Sequence, residues 1–61
     1  MKVMIIDDER LARTELKKIL AANPLVSEIE EAGDPLEALE KIPRFKPQLL
    51  LLDIQMPGMN G

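Results

Sequence analysis

Asp7 and Asp8 close a short apolar run, Val3 to Ile6, and Asp53 closes another, Leu49 to Leu52. Three carboxylates brought close together repel one another, and a hard divalent cation relieves that repulsion. Mg²⁺ is well suited, since it takes oxygen ligands and keeps several waters, so a few carboxylates and one carbonyl suffice. Each acid alone has a plainer reading. Asp7 and Asp8 can cap a helix, Asp53 can be a solvated strand end, and Met56-Pro57-Gly58 is ordinary turn chemistry. The joint pattern is harder to reach by accident. Two adjacent acids end one buried run, a third ends another, and a Pro-Gly turn follows the third.

Those acids need elements that hold them together. Val3-Met4-Ile5-Ile6 is apolar throughout, as a strand buried on both faces requires. Asp7-Asp8-Glu9 can then open a helix, with acids at the positive end of its dipole. From Glu9 to Ala22 the residues Leu11, Ala12, Leu16, Ile19 and Leu20 fall at helical spacing, leaving Arg10, Arg13, Lys17 and Lys18 largely on the wet side. Asn23-Pro24 stops it, since Asn tolerates the left-handed cap conformation and Pro cannot continue a helix. Ser27 to Ala32 reads as a charged edge strand protected by Glu28, Glu30 and Glu31. Gly33 turns the chain, and Asp34-Pro35-Leu36-Glu37 has the form of N-cap, N1 proline and capping-box acid. The second helix is expected to present Leu36, Leu39 and Ile42 on one face, with Pro43 and Pro47 bracketing a connector. The expected order is βαβαβ in one domain over residues 1–61. Strands lie at about 2–6, 27–32 and 48–53, helices at about 9–22 and 35–42, and a loop over 54–61. The fold class is α/β, with parallel strands in order 2-1-3. The crevice at the carboxyl ends of strands one and three would gather Asp7, Asp8 and Asp53.

Composition removes other chemistries. The 61 residues include no Cys and no His, which excludes disulfides, thiolate metal sites and a histidine base. Phe45 is the single aromatic residue, so no stacking platform for single-stranded nucleic acid exists. The formal charge is −3 and the basic residues are scattered, which argues against nucleic-acid contact by this segment. The apolar runs are too short to cross a membrane and too soon interrupted by acids for a signal peptide, so a cytoplasmic location is expected.

Val3-Met4-Ile5-Ile6-Asp7-Asp8-Glu9 resembles the opening strand and acidic pair of response-regulator receiver domains of two-component signalling. Residues 49 to 61 resemble their phosphoacceptor strand and following loop. The run from Asp8 to Arg13, with Glu15 and Leu16, looks most like the LytTR subgroup. The resemblance spans the whole chain but only about half of such a domain, whose sheet has five strands in flavodoxin-like order. It implies that Asp53 is the phosphoacceptor, charged by a phosphohistidine on a sensor histidine kinase. It also implies that Asp8 binds Mg²⁺ directly, Asp7 binds it through water, and the backbone carbonyl of Gln55 is a further ligand.

The family's Ser or Thr after strand four, and its Lys and aromatic switch residue around strand five, have no counterpart within residues 1–61. The chain therefore reads as a phosphoacceptor rather than a complete enzyme. An alternative expectation is a natural or engineered half-domain whose main behaviour is homodimerisation through the third strand, since Leu49 to Leu52 carry no deterrent charge. A phosphatase of the haloacid dehalogenase type is a further alternative. It would need an acid two residues after the nucleophile, where this chain has Gln55.

Overall fold

Val3, Met4 and Ile5 are fully buried in the computed structural model, which describes residues 1–52. They form β1 (Lys2–Ile6), the central strand. The chain continues through α1 (Arg10–Ala21), β2 (Glu28–Ala32), α2 (Pro35–Phe45) and β3 (Leu49–Leu52). All pairing is parallel, in the order β2-β1-β3, as the apolar patterning requires. Ile6 stands opposite Ala32 on one side and Leu52 on the other.

Period-two alternation divides the sheet. Met4 and Ile6 face α2 and cluster with Ala32 and Ala38, with Ile42 and Phe45 packed against them. Val3 and Ile5 take the opposite face, toward α1.

Both helices differ from the sequence expectation in the faces they bury. In α2 the packed positions are Ala38, Ile42 and Phe45, whereas Leu36 and Leu39 are exposed. The small Ala38 lets the helix approach the sheet closely. The helix also passes through Pro43 to Phe45 rather than stopping at Ile42. Proline there removes one intrahelical hydrogen bond within the last turn, and the packing of Phe45 offsets that loss. The helix ends at Lys46, whose left-handed backbone (φ 54°, ψ 62°) lets its N–H reach the carbonyl of Ile42 at 2.7 Å. In α1, Leu11 and Ile19 are exposed, and Ala12, Leu16 and Leu20 are half-buried. Asn23 does not adopt the left-handed cap; Lys46 is the sole non-glycine residue with positive φ among the described residues. Instead the Asn23 side chain accepts the N–H of Leu25 at 2.9 Å, and the turn is closed by the amino terminus, which donates to the Leu25 carbonyl at 2.7 Å.

The start of α2 follows its sequence signature closely. The Asp34 carboxylate accepts the Glu37 N–H at 2.8 Å, and Glu37 reaches back to an amide at 2.8 Å. That amide belongs to Gly33, one residue before the cap, so the reciprocal pair is shifted by one position from the usual capping box.

Candidate functional site

The carboxyl end of β1 is the place where charge meets the core. The β1–β2 ladder extends one residue past the strand, with the Asp7 N–H donating to the Ala32 carbonyl at 3.1 Å. The Asp7 residue is only 7% exposed. Its Oδ1 accepts the Glu9 N–H at 2.8 Å, a side-chain turn that bends the chain toward α1. This replaces the helix cap expected of the acids, since Glu9 occupies the N-cap of α1 and makes no side-chain cap bond. The Asp7 carbonyl accepts from Arg13 Nη1 at 2.6 Å. Amide, side chain and carbonyl of Asp7 are thus each tied to a different segment: β2, the turn and α1. Asp8, the next residue, is exposed.

β3 brings its carboxyl end to the same edge of the sheet, because Leu52 pairs with Ile6. Asp7 and Asp53 are the residues that follow this last pair in sequence. Asp53, Gln55 and the loop over 54–61 lie outside the described residues, so Asp7 and Asp8 are the sequence-predicted residues whose positions are seen. Among the described residues, no three acidic side chains gather as a metal-holding group.

Arg13 is the residue that sequence reasoning missed. Placed on the wet side by helical spacing, it is half-buried, with its side chain only 18% exposed. Its Nε donates to Glu31 Oε1 at 3.1 Å while Nη1 holds the Asp7 carbonyl. Lys17 takes the other oxygen of Glu31 at 2.7 Å. Lys17 foremost, and then Arg13, hold the Glu31 carboxyl below the usual carboxylate range against an opposing desolvation cost. On the other face, Lys41 bridges Glu30 at 3.4 Å and Glu37 at 3.0 Å. The glutamates of β2 thus tether a helix on each face, as well as charging an edge. No spacing rule connects residue 13 to residue 31; only the fold does.

Oxygen donors at a strand end, beside a carboxylate-paired guanidinium, can hold a hard cation near an anionic reactant. The family profile described as the response regulator receiver domain matches residues 3–61. A protein-glutamate methylesterase/protein-glutamine glutaminase of Rhizobium johnstonii is 45% identical over 60 residues, covering 98% of this chain and 17% of the relative. An uncharacterized response regulatory protein of Vibrio cholerae is 43% identical over 61 residues, covering all of this chain and 26% of the relative. A second methylesterase/glutaminase, from Vibrio vulnificus, is 44% identical over 61 residues and is covered to 18%. The chain therefore spans about a sixth to a quarter of the length of these relatives. No solved structure matches the chain significantly.

Proposed function

The chain belongs to the response regulator receiver domain family, and from that premise we propose that Asp53 accepts a phosphoryl group from a sensor histidine kinase. One Asp53 carboxylate oxygen attacks phosphorus, an O–P bond forms, and the P–N bond to the imidazole breaks. The imidazole nitrogen keeps the electron pair and takes up a proton. The observation that supports this reading is the register Ile6 to Leu52, which brings the strand preceding Asp53 alongside the strand preceding Asp7 and Asp8.

The donor set fits Mg²⁺. Asp7 and Asp8 offer hard carboxylate oxygens, Asp7 is fixed in place, and Asp8 is open to water, so a cation that keeps several waters is accommodated. When bound, Mg²⁺ supplies the positive charge that lets an anionic phosphoryl group approach a carboxylate. Asp8 would hold it directly, Asp7 through water, and Asp53 and the Gln55 carbonyl would complete the protein ligands. The same reading puts the receiver in the cytoplasm, on the side where the kinase presents its phosphohistidine. No helix among the described residues is long and apolar enough to cross a membrane. The run from Asp8 to Arg13 supports the LytTR subgroup, whereas two of the relatives are methylesterases.

Mass spectrometry after incubation of the 61-residue chain with a phosphoramidate and Mg²⁺ tests the reading. The expected result is slow modification confined to Asp53, because the Lys and hydroxyl that stabilise transferred charge in the family lie outside residues 1–61. Modification of a different carboxylate, or none at all, overturns the proposal. Rapid and complete modification would show that those groups are not needed.

A second reading concerns assembly. Leu49, Leu50 and Leu52 are exposed by 39%, 48% and 54%, and the second edge of β3 has no pairing strand among the described residues. Leu50 and Leu52 line an apolar groove of about 400 Å³ with Ile6, Ala38, Leu39 and Ile42. Two copies of the 61-residue chain pairing along β3 about a two-fold axis would cover these leucines. Sedimentation over a wide concentration range is expected to show a dimer that Leu50→Lys dissociates. A folded monomer at every concentration would exclude it.

A further inference from the structure

We propose that Arg13 is a positioning residue: it clamps the backbone of Asp7 so that the Asp7-Asp8 pair is held open toward a divalent cation. The inference rests on the reading of that pair as metal-holding. The geometry carries it. Asp7 stands where the chain leaves β1; its N–H still bonds to β2 at Ala32, whereas the next β2-side amide, Gly33, donates to Glu37 rather than to the Asp7 carbonyl. Arg13 Nη1 donates to that carbonyl at 2.6 Å. The same guanidinium is fixed from its other side by Glu31 Oε1 at 3.1 Å, and Glu31 is in turn fixed by Lys17 at 2.7 Å. The turn after β2 packs against the same group, since a Cβ at Gly33 would lie 3.5 Å from Arg13 Nη1. An arginine is suited to this place because its planar fork presents separate donors to two acceptors, which a lysine ammonium on a flexible stem does not reproduce.

A cation so near a metal site needs a reason to be tolerated. Glu31 gives one. With a carboxylate at 3.1 Å, which Lys17 shares at 2.7 Å, the Arg13 charge is partly offset, and its two roles separate. The carboxylates of Asp7 and Asp8 stay free of it, and only the Asp7 backbone is held. Arg13 thus acts as an outer-shell partner, orienting groups that touch the ion without touching it.

The sign of the effect distinguishes orientation from charge. Coulomb attraction alone says that deleting a positive group beside a cation site strengthens Mg²⁺ binding. Positioning says that it weakens binding, by roughly tenfold or more, the cost typical of losing an outer-shell partner. Titration of Mg²⁺ into ¹⁵N-labelled protein, followed through the amides of Asp8 and Glu9, measures this. Arg13→Ala is expected to bind Mg²⁺ at least about tenfold more weakly than wild type. Arg13→Lys keeps the charge and is expected to fall between the two. Lys17→Ala removes the other tether of Glu31 without touching Asp7, and its Mg²⁺ affinity is expected to match wild type. Affinity in Arg13→Ala equal to or tighter than wild type overturns the inference. So does an Arg13→Lys protein indistinguishable from wild type, or a Lys17→Ala protein weakened as much as Arg13→Ala. Asp8→Asn is the separate control on the premise. If it responds to Mg²⁺ as wild type does, the metal-holding reading fails and this inference falls with it. If Asp8→Asn loses the response while Arg13→Ala keeps it, the metal reading stands and the role of Arg13 alone is refuted.

Discussion

Asp53→Asn is expected to reduce phosphoryl incorporation from a phosphoramidate to background. The substitution keeps the size of the side chain and removes its anionic oxygen, so the proposed nucleophile is lost while the steric demand is not. It also removes one of the three acids of the proposed metal site, so on that proposal Mg²⁺ binding should weaken in parallel. On the proposed reading, Asp8→Ala should slow the reaction without redirecting it, because the proposed nucleophile Asp53 remains and only a proposed ligand to the cation is gone. The two variants therefore separate the acceptor from its electrostatic support. The wild-type adduct should be an acyl phosphate, which hydroxylamine cleaves, whereas a phosphoserine or phosphothreonine would survive. An Asp53→Asn protein that still gains phosphoryl groups at the wild-type rate would end the assignment of Asp53.

The topology was readable because β1 is apolar from Val3 to its end. Val3 to Ile6 cannot be satisfied by one covered face, and the structure buries it between two strands and two helices. The register of β3 was not readable in the same way. A one-residue slip would exchange Leu50 and Leu52 for Leu49 and Leu51 on the α2 face, and four leucines in a row do not tell these apart. The caps were legible where the chemistry is local. Asp34 and Glu37 stand three residues apart and bond as that spacing allows, save that Glu37 reaches the amide before the cap.

What escaped sequence reasoning depends on distance along the chain. Helical spacing ranks residues by hydropathy, so it put Leu11 and Ile19 inside α1 and Arg13 outside. The structure exposes both apolar residues, by 74% and 66%, and uses Arg13 instead. The sheet below α1 is narrow, and a charged β2 lies under its flank. A long side chain that spans from Asp7 to Glu31 satisfies polar groups there that a leucine would leave unpaired. The same limit applied in α2, where proline was read as a stop. Its cost is local and visible in sequence, whereas the packing of Phe45 that offsets it is not. The sequence puts three acids after two apolar runs, and of these Asp53 lies outside the described residues. The structure brings those two strand ends side by side and shows how Asp7 is held.

Ile5→Ala is expected to cost about 2–5 kcal/mol, the range for truncating a buried branched side chain. Ile5 is fully buried, paired with Glu31 in β2 and Leu51 in β3, and it lies on the α1 face. A chain of this size has about 3–9 kcal/mol of stability at ordinary values per residue, so the loss is comparable with the whole. A domain near this length buries only about 60% of its unfolded surface, so each core residue carries a large share of its stability. Ile5→Val removes a single methylene and should cost only about 0.5–1.5 kcal/mol. Leu11→Ala, at a residue 74% exposed, should change stability by no more than about 0.5 kcal/mol. Urea titration followed by circular dichroism compares the three. The order Ile5→Ala, Ile5→Val, Leu11→Ala in decreasing cost is the expected result, and equal midpoints for Ile5→Ala and Leu11→Ala would refute the central place given to β1. The consequence reaches the site, because β1 leads directly into Asp7. Mg²⁺ that binds the folded chain alone would restabilise Ile5→Ala by mass action, raising its urea midpoint with concentration. A midpoint insensitive to Mg²⁺ in both wild type and Ile5→Ala would mean that the end of β1 holds no ion.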